Sequence, residues 1–131
     1  MTLSKGSFAQ DPVAATARWD AVDLALTGAF FTADRAYRVT GITARVDVAG
    51  TDVGGVTLVV RKAPSGTAIS GGTVLHTGSV NLKGTANTNQ AITLSATATD
   101  LLLAAGDSLG THLTGTPAVA QGAVTVFMVA Q

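Results

Sequence analysis

At 131 residues and 13.0 kDa, the chain is long enough for one domain and too short for two with useful cores. It contains no cysteine, which excludes disulfides, thiol catalysis and zinc–thiolate sites, and its eight basic residues are balanced by eight acidic ones, without the basic excess of a nucleic-acid binder. Only 12% of residues are charged against 47% hydrophobic and mean hydropathy is +0.40, yet no run approaches the ~18 uncharged apolar residues of a membrane span.

The start, Met1-Thr-Leu-Ser-Lys-Gly6, lacks the basic-then-apolar order of a secretory signal, so the expectation is a protein made inside the cell. All the acids are Asp, Thr and Val are abundant, and 15 residues are Gly; β-branched side chains and the absence of Glu favour strands over helices. Residues 1–16 show no sustained period and include Asp11-Pro12, which predicts an arm. Ala14 to Leu26 fits a short helix (Trp19, Val22, Leu26) or a strand (Val22, Leu24, Leu26 alternating with Asp23 and Ala25), and strand is the reading taken.

Ala29 to Thr32 reads as a short strand. Tyr37 to Val48 reads as a long one whose apolar parity switches near Gly41, the mark of a bulge. The turn formers Ala49-Gly-Thr-Asp-Val-Gly-Gly55 predict a hairpin into Val56–Arg61, where Val56, Leu58 and Val60 share a face. Strands are expected over Thr73–Leu82, Ala91–Ala96 and Ser108–Thr114, with a polar loop at 84–89 and a Gly106-Asp107 turn closing the run from Leu101. The last strand, Ala123–Val129, is apolar on both faces. About eight or nine short strands with turn signals roughly every 8–15 residues describe a single all-β sandwich or barrel of antiparallel strands.

Few residues carry chemistry. His76 and His112 have no local nucleophile or carboxylate to complete a triad, so each reads as a structural or interface histidine. Asp47, Asp52, Asp100 and Asp107 read as turn residues bonded to nearby backbone N–H groups, and Asp20 and Asp23 are too sparse for a calcium loop. Gly50, Gly54 and Gly55 lack the following Lys and helix of a phosphate loop. Arg35, Arg38, Arg45, Arg61, Lys62 and Lys83 are spread over several strands with too few aromatics to act as stacking platforms, so a solvated or ion-paired face is expected. Two His and no Glu cannot supply a cupin metal site; no cofactor is expected, and the chain is read as not being an enzyme.

In the last strand Val124, Val126 and Met128 point one way and Ala123, Phe127 and Val129 the other. At about 25 cal/mol per Å², leaving the second face wet forgoes several kcal/mol, which favours its burial against a symmetry mate over cover by the chain's own N-terminal segment.

The order Ala49-Gly-Thr-Asp52, Val56-Thr-Leu58, Leu82-Lys-Gly-Thr-Ala-Asn87, Leu103-Ala-Ala-Gly-Asp-Ser-Leu109 and Val124-Thr-Val126 resembles the small jelly-roll proteins of tailed-phage virions, which act as capsid decoration (cement) proteins or fibre heads. The resemblance spans about Phe30 to Val129. It implies a jelly roll, usually trimeric, and no enzymatic activity; joined to the strand reading above, this gives an antiparallel β-sandwich of jelly-roll type with about eight strands over residues 17–131, behind the N-terminal arm, 1–16. The reading that follows is a virion protein, made in the host cytoplasm, that cements the capsid by binding across major capsid protein subunits. A fibre tip recognising a host surface receptor is the alternative. Phe8, Val13 and Trp19 are the expected arm anchors and Phe127 and Val129 the expected partner contacts, with neither nucleic acid nor membrane as a partner.

Overall fold

The computed structural model describes residues 12–19, 28–51, 56–115 and 119–131. Among the described residues nine strands are formed: β1 (Pro12–Trp19), β2 (Gly28–Thr32), β3 (Tyr37–Val48), β4 (Thr57–Ala63), β5 (Thr73–Val74), β6 (Thr88–Ile92), β7 (Leu102–Leu103), β8 (Ser108–Thr114) and β9 (Gln121–Ala130). Short 3₁₀ turns occupy Ile69–Gly71 and Ala98–Leu101. One sheet, called A here, has the order β1-β9-β3-β6 with β7 also on β3; the other, sheet B, has the order β2-β8-β4-β5. All pairings are antiparallel. The chain passes repeatedly from one sheet to the other, and the result is the interlocked Greek-key order of a jelly-roll β-sandwich.

Period-2 alternation builds the core. On β9 Val124, Val126 and Met128 are fully buried; on β3 Val39, Ile42, Ala44 and Val46 face the same way; sheet B answers with Leu58, Val60 and Leu109. Each such Val, Leu or Met contributes roughly 1.5–3 kcal/mol by leaving water. The parity switch in β3 is a bulge, with the register against β9 shifting between Val39 and Gly41. Below it β6 covers Ile42–Val46, and above it β7 covers Tyr37 and Arg38.

Several expectations are corrected. β3 and β4 do not form a hairpin: they lie in different sheets, because β3 already has β9 on one side and β6 and β7 on the other. Thr73–Leu82 is not one strand. β5 stops at Val74, and beyond it only isolated bridges at His76 and Val80 continue the pairing, with Gly78 at φ +66° breaking the extended run. The strand read at Ala91–Ala96 lies earlier, at Thr88–Ile92, and takes in part of the expected loop. Strand structure also reaches into the expected arm. Pro12–Thr16 already pair with Val129–Thr125, because Val13, Ala15, Ala17 and Trp19 alternate inward and bring the chain into register with β9. Residues 1–11 and 20–27, including Phe8 and the remainder of the Ala14–Leu26 reading, lie outside the described residues.

Candidate interaction face

Sheet A turns one side to the core and the other outward, and the outward residues fall into rows across the strands. From one end these are Pro12–Val129–Arg38–Leu102, then Ala14–Phe127–Gly41, then Thr16–Thr125–Thr43–Ala91, then Arg18–Ala123–Arg45–Asn89. Small residues keep most of this face low. The Thr16 and Thr125 hydroxyls bond each other at 2.9 Å across the β1–β9 pair. Phe127 is the large exception, 43% exposed, with its ring over Gly41. Leu102 is similarly exposed at the end of the neighbouring row.

Charge on this face is uneven. Asp47 sits between two cations, 3.5 Å from Arg45 Nε and 3.9 Å from Arg18 Nη2. Arg38, beside Val129, is exposed and makes no ion pair among the described residues. The face therefore carries three guanidinium groups against one carboxylate among the described residues.

The five expected contact residues separate. Phe127 is on the open face, and Val129 is there too, half-buried. Val13 points inward at the margin of the core. Trp19 is 4% exposed and its indole lies against Gly122, so in this structure it is a core residue and not a surface anchor; strand parity turns it inward with Ala15 and Ala17. Phe8 is not among the described residues.

The histidines have distinct settings. His76 is buried, and its Nε2 accepts the Val60 backbone N–H at 2.9 Å, standing in for the strand that β5 does not continue. Burial holds its pKa below the ordinary imidazole value, and the accepting Nε2 requires the neutral ring. His112 is half-buried on β8, its Nδ1 enclosed without a hydrogen-bond partner.

Among the acids, Asp107 behaves as a turn residue, accepting the Ala104 N–H at 2.9 Å next to Gly106 at φ +91°. Asp100 instead accepts the Ser95 hydroxyl at 2.6 Å, and Asp47 pairs with Arg45 on its own strand and with Arg18 across the sheet rather than capping a turn. Asp52 is outside the described residues. The Tyr37 hydroxyl donates to Asp34, holding that carboxyl below its usual range and the phenol above its own. Lys62 donates to the carbonyls of Thr99 (2.7 Å) and Leu102 (2.6 Å), tying β4 of sheet B to the segment that feeds β7 of sheet A. Arg61 donates to the Gly72 carbonyl at 2.7 Å. Among the described residues, no group of three or more His, Cys, Asp or Glu side chains is placed to hold a metal ion, and no helix is long and apolar enough to cross a membrane.

No protein-family model matches the chain, and no curated protein matches it in sequence. Among solved structures it is similar to a chain of the cyanophage Pam1 capsid asymmetric unit, with a TM-score of 0.54 and 12% identity, over 100% of this chain and 93% of the other. At that identity the likeness is one of fold, and it runs the full length of two chains of nearly equal size.

Proposed function

We propose that this chain is a structural protein of a phage virion, a capsid decoration protein that acts as a homotrimer and binds across neighbouring subunits of the major capsid protein. The observation that carries the reading is the open side of sheet A. β9 buries Val124, Val126 and Met128 completely and leaves Ala123, Phe127 and Val129 on the outer face, where Phe127 and Leu102 are exposed at an apolar end. Support comes also from the likeness in fold to a chain of the cyanophage Pam1 capsid asymmetric unit, which extends over 100% of this chain and 93% of that one.

The mechanism is adhesion, without bond chemistry or a cofactor. Each subunit lays its outer face on the shell, residues 1–11 with Phe8 add a second contact, and three copies bound together multiply modest affinities. Shell subunits held across their junctions then separate less readily under the pressure of packaged DNA. The protein is made in the host cytoplasm and resides on the capsid surface. A fibre tip that binds a surface glycan is less well supported, because two of the few aromatics that would serve as sugar platforms, Trp19 and Tyr37, are buried. The test is to mix the purified full chain with shells that lack it. Saturable uptake and a higher temperature of DNA release are expected; absence of uptake overturns the reading.

A further inference from the structure

The outer face of sheet A combines an apolar end (Phe127, Val129, Leu102) with three arginines and one aspartate, in a chain of net charge +0. The described acids other than Asp47 lie off it: Asp34 precedes β3, Asp100 is in a 3₁₀ turn, and Asp107 begins the approach to β8. Among the described residues the face carries a net charge of +2, and the rest, with Arg35, Arg61, Lys62 and Lys83 against Asp34, Asp100 and Asp107, carries +1. Arg18 and Arg45 share Asp47, whereas Arg38 stands beside the apolar end with no anion among the described residues.

We infer that this face docks on a protein surface that presents carboxylates around an apolar recess, with Phe127 filling the recess and Arg38 pairing with an acid at its rim. The inference rests on the capsid reading above and names the chemistry of the shell site. A second copy presenting the same face is disfavoured, since among the described residues it would set three arginines against three with only two carboxylates between them. Nucleic acid is disfavoured as well: Asp47 lies among the cations, and Phe127 is the one aromatic on the rows described above, too few for stacking. An aromatic anchor in an apolar pocket ringed by complementary charge is the usual arrangement of an interface hot spot.

The experiment measures binding of the full chain, and of Phe127→Ala, Arg38→Glu and Arg35→Glu, to shells lacking the protein. Arg35 is an exposed arginine in the turn before β3, off the face, and its reversal makes the same change in net charge. Thermal melting of every variant checks its fold. Phe127→Ala and Arg38→Glu should each weaken binding by about tenfold or more, Arg35→Glu should bind as the unaltered chain, and raising salt from about 0.05 to about 0.3 M should weaken the unaltered chain. If the unaltered chain binds and both face variants bind equally well, or Arg35→Glu loses as much as Arg38→Glu, the docking face is wrong while the capsid reading stands. If the face variants instead break up an oligomer of the free protein, a second copy occupies the face; if nuclease treatment of the shells abolishes binding, nucleic acid does. Either result overturns the inference. Failure of the unaltered chain to bind any shell removes the capsid reading and the inference with it.

Discussion

The ring of Phe127 lies over Gly41 on the next strand, close enough that a methyl group at position 41 would sit 3.8 Å from Phe127 Cδ2. Absence of a side chain at Gly41, beside the bulge, lets the ring rest against the sheet instead of standing away from it. Gly41→Ala fits in ordinary contact and should raise stability by about 0.4–1 kcal/mol through the unfolded chain, whereas Gly41→Val should displace the ring and weaken shell binding. Urea denaturation and the shell-binding assay read the two effects separately.

His76 predicts the acid response. Its native pKa lies below the ordinary 6.5, so between those two values the unfolded chain binds a proton that the folded one refuses. Stability from this group is complete above about pH 6.5, falls as the pH drops through that value, and levels off once the pH is below the lowered native value. The urea midpoint should therefore be lower near pH 5.5 than near pH 7.5, a window chosen to sit above carboxylate titration. His76→Leu should flatten that dependence and cost about 1–3 kcal/mol at neutral pH, because the buried Val60 N–H loses its acceptor.

Gly122 is held by close approach. A Cβ there would run into the Arg45 carbonyl oxygen and the Trp19 indole. Gly122→Ala should destabilise by about 3 kcal/mol, the upper range for overpacking, since the obstruction includes backbone. A denaturation midpoint close to that of the unaltered protein would contradict the packing described for Trp19.

Lys62 joins the sheets through its ammonium group, so Lys62→Met should cost about 1–3 kcal/mol and speed hydrogen exchange selectively over residues 98–103. Uniform loss of protection across the molecule would argue against a local tie.

Where strand alternation is strong, the sequence alone locates the fold. The limits of β3 and the Gly41 bulge are legible because Tyr37, Val39, Ile42, Val46 and their polar neighbours alternate cleanly, and β8 and the two-sided character of β9 follow in the same way. Partner choice is not local. The glycines after Val48 signal a change of direction, but whether β4 returns beside β3 or crosses to the other sheet depends on which edges of β3 are already paired. His76 was hidden for a similar reason: it bonds Val60, sixteen residues away, and no spacing rule connects them. Trp19 reads as an arm anchor beside Val13 when the inward parity it shares with Ala15 and Ala17 is missed, since alanines give little alternating signal. Of the open face, Phe127 and Val129 were visible from parity; the placement of Arg18, Arg38, Arg45 and Asp47 together required the register of three strands.

The most direct test of the virion assignment is the copy number of this chain in purified particles, measured by quantitative mass spectrometry against the major capsid protein. A decoration protein should be present in hundreds of copies, in fixed ratio to the shell subunits. A handful of copies per particle, or none, would contradict it.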